Sequence, residues 1–310
     1  MEIKEVISAP IAVIGFSDKS SPLEPLWPST HRALLPIAGK ALIVHIIEQL
    51  VEAGVRHIRI AGSIQQFAVR KRLGDGGEWG VTVRYSDLHG DDLRMECLLA
   101  SGRCLYMLGD VVNHGNLKTL VRRPDYDALE PDLYYDAAGM WQLRDGKVFG
   151  YSLGLGGGES PYENALVSVS DYHDANLRAA QGSLPRLNLP GTRIHSAAIV
   201  DWKTQIANDA FVGTDVFVGK HSKIGGLARL ERNCILSNGV IVDSGVRIEN
   251  VSVLPNCYVG RSMSLRDAVL GPGGVLGLDG TFWPTDDMRL LASTRDNSEA
   301  LTGIPSRRIA

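Results

Sequence analysis

The sequence has 310 residues, of which 44% are hydrophobic and 22% charged, and its formal net charge is -3. This length is enough for two ordinary domains, and the composition is that of a soluble globular protein. The small net charge argues against a protein drawn to nucleic acid or to an anionic membrane by its overall field.

The N-terminal stretch MEIKEVISAPIAVIGF contains an apolar run that is too short to span a membrane, and it lacks the features of a signal peptide. We interpret it as leading into the first strand of a cytoplasmic protein. The four cysteines are scattered, with no CxxC pair and no metal-ligand spacing, so we expect neither a zinc site nor a disulfide framework. Cys97 and Cys104 lie in apolar surroundings, which predicts buried thiols.

Residues 11 to about 180 alternate predicted strands and helices. The pattern favours a doubly wound, Rossmann-like α/β domain, in which ligands bind beyond the carboxyl ends of the strands. Gly54 ends the first predicted helix at a C′-like position, and Ser63 is the predicted N-cap of the second. The predicted strands are IAVIGF, RHIRIAG, VTVRYS and RCLYMLGD, and the predicted helices are ALIVHIIEQLVEAG and SIQQFAVRKRLG.

A repeat with a period of six residues occupies the C-terminal part of the chain. Each step of six lands on an aliphatic residue, and a small or modest residue follows four positions later. The register slips by one near Leu254, after which Val259 and Leu265 continue it. The aliphatic positions before the slip are Ile194, Val200, Ile206, Val212, Val218, Ile224, Leu230, Leu236, Val242, Ile248 and Leu254.

A period of six is neither that of a strand, which is two, nor that of a helix, which is 3.6. Three six-residue faces would make one triangular coil, with the aliphatic residue inside, and stacked coils would bury a continuous column. Gly213, Gly219, Gly225 and Gly245 suit the tight turns of such a coil. The repeat resembles the left-handed parallel β-helix of hexapeptide acyltransferases and of the C-terminal domains of sugar nucleotidyltransferases.

The resemblance to acyltransferases would imply a catalytic histidine in or near a coil, and His195 and His221 are the candidates. No long loop interrupts the repeat between Ile194 and Leu254. The sequence therefore favours exposed corner histidines and a β-helix that serves packing and oligomerisation. Acyl transfer remains a third hypothesis.

The N-terminal half is similar to mannose-1-phosphate guanylyltransferases and their bacterial relatives, a family of sugar-1-phosphate nucleotidyltransferases. The similarity lies in a segment after the nucleotide loop, a connector, a strand delivering a metal-binding aspartate, and a closing helix. These segments are RALLPIAGKALIVHIIEQLVEAGVRHIRIAG, LGDGGEWGVTVRYSD, LYMLGDVV and SDYHDANLRAAQG. The resemblance implies a shortened nucleotidyltransferase domain followed by a β-helix.

The family reaction joins a nucleoside triphosphate to a sugar 1-phosphate, so its site must hold phosphates and neutralise their charge. The resemblance places the family's loop arginine at Pro22 and a loop glycine at Ser20. Gly15, Ser20 and Lys19 are the remaining candidates for phosphate binding. The family's lysine corresponds to Arg32, which can still clamp a phosphate but is not interchangeable with lysine.

The resemblance also implies two carboxylates that hold Mg²⁺ if the protein is active. Asp110 matches the first, although an aspartate there could instead cap the following turn. The second matches Ala165 or Ser168, and the nearby Asp171 is a weaker candidate that also suits the first turn of a helix. The sugar-binding region is short, and the base-reading loop is replaced by HGDDLRME.

Loss of several catalytic elements from an intact scaffold predicts a non-catalytic regulatory, sensor or scaffold homologue in sugar-nucleotide or polysaccharide metabolism. The alternative is an active nucleotidyltransferase that uses Arg32, Asp110 and Mg²⁺. Expected partners are a nucleotide or sugar nucleotide, and a homo-oligomer or a catalytic homologue bound through the β-helix. The predicted domains are residues 1–183, the β-helix at 190–280, and a cap and tail at 281–310, in which Phe282 and Trp283 supply the cap or an interface.

Overall fold

A computed structural model of the chain describes residues 10–17, 20–62, 66–113, 115–122, 138–144, 147–152, 163–194 and 198–285. Contacts between Cα atoms divide the chain into two compact units. The first contains residues 1–18 and 42–163, and the second contains residues 19–41 and 164–310. The boundaries predicted from the sequence, at 183, 190 and 280, remain a prediction.

Ten strands, five α-helices and two short 3-10 turns precede the repeat within the described ranges. In chain order they are β1 (Ile11–Gly15), the turn Arg32–Leu34, β2 (Pro36–Ile37), β3 (Lys40–Ala41), α1 (Leu42–Glu52), β4 (His57–Ala61), α2 (Gln66–Leu73), the turn Gly77–Trp79, β5 (Thr82–Ser86), α3 (Gly90–Ser101), β6 (Arg103–Leu108), β7 (Val112–Asn113), α4 (Leu117–Arg122), β8 (Ala138–Arg144), β9 (Lys147–Ser152), β10 (Glu163–Asn164) and α5 (Val169–Gln181).

The first unit is built on a six-stranded sheet with the order β5-β4-β1-β6-β8-β9. The first four strands of that order pair in parallel, whereas β8 is antiparallel to β6 and β9 is antiparallel to β8. Strand β1 is buried along most of its length, as an apolar run between two parallel neighbours requires. The four predicted strands are confirmed as β1, β4, β5 and β6.

Helix α1 ends as the sequence predicts, because Gly54 has a φ of 93° and its N–H donates to the carbonyl of Val51. Helix α2 is also present, but the predicted N-cap Ser63 lies outside the described residues. The stretch interpreted as a replaced base-reading loop is instead the start of helix α3. Leu93, Cys97 and Leu98 of α3 are buried against the sheet, which explains why this stretch folds as a helix.

Twelve further strands follow α5 among the described residues of the second unit. They are β11 (Thr192–Ile194), β12 (Ala198–Val200), β13 (Gln205–Ile206), β14 (Phe211–Val218), β15 (Lys223–Ile224), β16 (Arg229–Leu236), β17 (Ile241–Val242), β18 (Arg247–Val253), β19 (Tyr258–Val259), β20 (Ser264–Gly271), β21 (Gly274–Gly277) and β22 (Phe282–Pro284).

These strands form an eight-stranded sheet, β11-β12-β14-β16-β18-β20-β21-β22, and a four-stranded sheet, β13-β15-β17-β19. Strands from β12 to β20 pair in parallel, and each pairs with the strand one repeat further along the chain. Ala198 lies opposite Val216, which in turn lies opposite Cys234, so the first two repeats are 18 residues long, three times the six-residue period. We number the repeats from the first to the fourth: 198–215, 216–233, 234–250 and 251–267.

The aliphatic positions from Val218 onward are buried, as the six-residue period predicts. The slip in the register, however, lies earlier than the sequence suggested. Leu230 pairs with Ile248, which lies 18 residues further along the chain. Cys234 pairs with Val251, which lies only 17 residues further along. One residue is therefore missing between Ile248 and Val251, and Val253 rather than Leu254 continues the column of Leu236.

The glycines predicted for tight turns serve two different purposes. Gly245 has a φ of 70° and occupies a left-handed turn. Gly219 and Gly225 directly precede turns without adopting a left-handed conformation, whereas Gly213 lies within β14, so the turn predicted there was wrong. A Cβ atom at Gly213 would overlap the carbonyl oxygen of Glu231, and one at Gly219 would lie 2.6 Å from Asn238 Oδ1. These glycines are needed because the next repeat passes too close for any side chain.

Near the end of β14, β16, β18 and β20, two residues of each strand point into the aliphatic column. The residue between them points to the opposite side of the sheet and is also buried. Helix α5 and residues 20–41 cover these middle residues. His173 Nδ1 lies 2.8 Å from Ser252 Oγ, and a Cβ atom at Gly39 would lie 3.0 Å from the ring of Phe217. Asn238 Nδ2 donates to the carbonyl of Gly39 at 2.7 Å. The second unit therefore has a core on both sides of this part of the sheet. The covered residues are Phe217, Ile235, Ser252 and Val269.

Candidate functional site

The carboxyl ends of the parallel strands β1 and β6 meet in the first unit, where a doubly wound fold binds its ligands. Gly15 pairs with Leu108, and the N–H of Gly109 donates to the carbonyl of Gly15 at 2.7 Å. Asp110 follows directly. The structure therefore brings together Gly15 and Asp110, two of the residues singled out in the sequence.

The Asp110 side chain is engaged in hydrogen bonds within this unit, and the residue is only 1% exposed. The backbone N–H of Ser17 lies 3.1 Å from one carboxylate oxygen and 3.2 Å from the other, and the Ser17 hydroxyl donates a short hydrogen bond to Oδ2. The carboxylate thus fixes the chain that leaves β1. The sequence alone does not identify Ser17 as a partner of Asp110. Its role becomes visible only once β1 is paired with β6.

Tyr106 fills the space beside Gly15. A Cβ atom on Gly15 would overlap the Tyr106 hydroxyl, and one on Gly90 would lie 2.7 Å from it. The guanidinium carbon of the buried Arg94 lies 5.3 Å from the centre of the Tyr106 ring. The absence of a side chain at Gly15 is therefore required by Tyr106, a close approach that the sequence did not indicate.

The other predicted phosphate ligands belong to the second unit or lie outside the described residues. Lys19 is outside them. Ser20 is exposed, and Arg32 lies in a 3-10 turn with only 2% of its surface exposed. Arg32 was predicted to clamp a phosphate, and such a buried guanidinium would have to be uncovered before a ligand could reach it.

Asp171 forms a capping box at the start of α5. Its N–H donates to Ser168 Oγ at 3.1 Å, and its Oδ2 accepts the N–H of Ser168 at 2.8 Å. This arrangement stabilises the first turn of a helix. Ala165 and Ser168, the positions matched to the family's second carboxylate, supply no carboxylate.

A magnesium ion requires several oxygen ligands in near-octahedral geometry. In the described ranges, no three histidine, cysteine, aspartate or glutamate side chains are grouped so that they could hold a metal ion. The oxygens of Asp110 and Asp171 already accept protein donors. The described residues therefore do not fit a Mg²⁺ site.

The cysteines, two histidines and the aromatic residues of the predicted cap are the other residues singled out in the sequence. All four cysteines are buried, and burial raises the pKa of Cys97 and of Cys104, so neither thiol is suited to act as a nucleophile. His195 lies outside the described residues, and His221 is exposed in the second repeat. Phe282 and Trp283 lie in β22, paired with β21. Among the described helices, none combines the length and the apolar character needed to cross a membrane.

Comparisons with known proteins find partial similarity to nucleotidyltransferases. Glucose-1-phosphate thymidylyltransferase from two strains of Xanthomonas campestris pv. campestris is 32% identical over 112 residues, which cover 33% of this chain and 38% of the relative. Mannose-1-phosphate guanylyltransferase from Mycobacterium tuberculosis is 28% identical over 74 residues, or 24% of this chain and 21% of the relative. No protein-family model matches the chain.

The chain thus spans about two fifths of the length of the thymidylyltransferases that it matches. These similarities support a sugar-nucleotidyltransferase-like family, and they agree with the resemblance found in the sequence.

Proposed function

We propose that this protein is a non-catalytic homologue of sugar-1-phosphate nucleotidyltransferases, acting as a regulatory, sensor or scaffold protein in sugar-nucleotide or polysaccharide metabolism. The observation that supports this most directly is the use of the Asp110 carboxylate. It is buried and accepts the donors of Ser17, so the one acid that matches the family serves to fasten the end of β1.

The energetic argument concerns what a metal would have to displace. Hydrogen bonds to a charged group contribute about 1.5–3 kcal/mol each, so releasing Asp110 from Ser17 has a substantial cost. Asp171 would likewise have to leave its capping box, at about 1 kcal/mol. Both costs would oppose the binding of a metal ion by these acids. A protein that does not bind the metal, and therefore does not turn over substrate, avoids these costs.

An active nucleotidyltransferase is the second candidate, because Asp110 keeps its place beside Gly15 at the carboxyl ends of β1 and β6. The two functions are separated by measuring pyrophosphate release in the wild type and in Asp110→Asn. Turnover that requires Asp110 would support the enzyme and contradict our proposal.

A sensor would bind a nucleotide or a sugar nucleotide without converting it. Binding to the folded state raises the melting temperature by mass action. A thermal-shift panel of nucleoside triphosphates and sugar nucleotides, with and without Mg²⁺, tests this role. A rise in melting temperature without turnover would support a sensor. No change in melting temperature with any ligand would contradict the sensor role and favour a scaffold.

For the second unit we propose a left-handed parallel β-helix of hexapeptide repeats. Its support is the pairing of strands one repeat apart, together with left-handed backbone conformations that recur at three positions of the repeat. These are Lys203, His221, Gly239 and Asn256 at the first position, Leu227, Gly245 and Ser262 at the second, and Asp215, Asn233, Asn250 and Asp267 at the third.

We also propose that the protein assembles through this β-helix, as a homo-oligomer or with a catalytic homologue. The described part of the repeats carries four exposed large apolar side chains that a partner could cover: Trp202, Phe211, Leu227 and Ile241. Light scattering at micromolar concentration tests self-assembly. A monomer would contradict the homo-oligomer and leave a heteromeric partner to be tested by co-purification with the catalytic homologue.

A further inference from the structure

A pocket of about 390 Å³ opens on the surface of the first and second repeats. It is lined by Lys203, Thr204, Gln205, His221, Ser222 and Lys223. We call it the corner pocket, because Lys203 and His221 occupy equivalent left-handed turns of the two repeats. Its volume is within the range of small-molecule sites in proteins. The pocket lies wholly within the second unit.

The corner pocket has cationic walls and no acidic lining residue. Lys203, His221 and Lys223 are all exposed, and among the described residues no carboxylate forms an ion pair with any of them. The acid nearest in sequence is Asp201, whose Oδ1 accepts the N–H of Trp202 at 2.7 Å. The positive charge of the pocket is therefore not neutralised by the pocket itself.

The backbone at this corner is unusual for the residues that occupy it. Lys203 has a φ of 55° and His221 a φ of 60°. The third and fourth repeats place Gly239 and Asn256 at the same position, and these are the residue types that tolerate such turns. A side chain other than glycine or asparagine adds strain of about 1 kcal/mol or more, a cost that Leu227 and Ser262 carry at another corner of the repeats as well.

Hydrogen bonds fix two of the lining residues, and an aromatic ring contacts two others. Thr204 Oγ1 donates to the carbonyl of Gly219 at 3.0 Å, and Ser222 Oγ donates to that of Ser237 at 3.2 Å. Lys203 Nζ lies 4.2 Å from the centre of the Trp202 ring, and the centre of the His221 ring lies 5.9 Å from it. Trp202 is 65% exposed, so its ring can contact a bound molecule.

We propose that the corner pocket binds the phosphate group of a small phosphate ester. The ammonium groups of Lys203 and Lys223 and the ring N–H of His221 are the donors that a phosphate requires, and the Gln205 amide adds a neutral donor. Trp202 contacts the organic part of the ligand. All the lining residues belong to the second unit, and phosphate binding here does not depend on whether the first unit is catalytically active.

Isothermal titration calorimetry with glucose 1-phosphate, inorganic phosphate and glucose tests the proposal. We expect binding of the two phosphate-containing probes and none of glucose. The double variant Lys203→Gln/Lys223→Gln should weaken phosphate binding at least about tenfold, since charge-assisted hydrogen bonds are lost. Lys220→Gln is the matched control, because Lys220 is exposed and adjacent to His221 but does not line the pocket; its affinity should change less than about twofold.

A second readout places the ligand. Glucose 1-phosphate should change the fluorescence of the wild type, and Trp202→Phe should remove that change while retaining phosphate binding. Binding that survives in the double variant would overturn the proposal, since the phosphate would then be held elsewhere. An equal loss in Lys220→Gln, or no binding of either phosphate probe at millimolar concentration, would overturn it as well.

Discussion

The Asp110 carboxylate accepts the backbone N–H of Ser17 at 3.1 Å and also accepts the Ser17 hydroxyl. The two residues follow neighbouring parallel strands, β6 and β1, so this pair fastens the carboxyl ends of the two strands to each other. The Tyr106 hydroxyl occupies the space beside Gly15 at the same place. The relationship gives Asp110 a structural role that can be measured independently of catalysis.

Replacing Asp110 should destabilise the protein. We expect Asp110→Asn to lower the free energy of unfolding by about 1.5–3 kcal/mol, because charge-assisted hydrogen bonds from Ser17 are weakened in a buried setting. Urea denaturation measures the change. Asp92→Asn, an exposed aspartate of the same unit, should cost less than about 1 kcal/mol.

An increase in the free energy of unfolding of Asp110→Asn would point to a functional role for the carboxylate. Acids kept for function often strain a fold, and their removal then stabilises it. If Asp110→Asn unfolded at the same or a higher urea concentration than the wild type, a structural role for the carboxylate would be refuted.

His173 should make stability depend on pH. Burial lowers the pKa of His173, and its hydrogen bond to Asn250 and the charges of Asp174 and Asp267 oppose this only in part. An unfolded histidine has a pKa near about 6.5. Between that value and the lower folded one, the unfolded state binds more protons, so stability falls as the pH drops below about 6.5.

Replacing the imidazole should remove this dependence. In denaturation curves from pH 7.5 to pH 4.5, His173→Gln should show a shallower loss of stability than the wild type. The exposed His57→Gln should follow the wild type. Parallel curves for the wild type and His173→Gln would show that the burial of His173 has no effect on stability.

Gly213 should tolerate no side chain. A Cβ atom there would overlap the backbone carbonyl of Glu231 in the next repeat, and a backbone cannot move aside as a side chain does. We expect Gly213→Ala to cost at least about 2 kcal/mol, measured by chemical denaturation. At Gly226 the nearest contact is the flexible carboxylate of Asp209, at 3.1 Å, so Gly226→Ala should cost less than about 1 kcal/mol. Equal effects of the two substitutions would contradict the register described for β14 and β16.

The buried aliphatic column could be predicted because a period of six is a local property of the sequence. Burial of Leu230, Leu236 and Ile248 follows from it directly. The site of the register slip could not be predicted. Val253 and Leu254 are both aliphatic, so the sequence fits the repeat with or without a missing residue near Asn250. The glycines were assigned to turns because glycine is common there, whereas the demand at Gly213 comes from the paired strand of the next repeat.

Long-range packing explains the other differences. Residues 20–41 belong to the second unit through contacts such as that of Asn238 with Gly39, which lie far apart in the chain, and no local pattern indicates them. Helix α3 was missed because its sequence begins with polar residues, although Leu93 and Cys97 are spaced as one helix face. At the candidate site, Gly15 and Asp110 were predictable from motifs, but Ser17 and Tyr106 emerge only when β1 and β6 are paired.

The most direct test of the central claim is pyrophosphate release by the purified full chain with each of the common nucleoside triphosphates, a set of hexose 1-phosphates and Mg²⁺. Wild type and Asp110→Asn are assayed side by side, with a known nucleotidyltransferase as the positive control. We expect both forms to show no release above the enzyme-free background. Release by the wild type that Asp110→Asn abolishes, while remaining folded by circular dichroism, would contradict a non-catalytic protein.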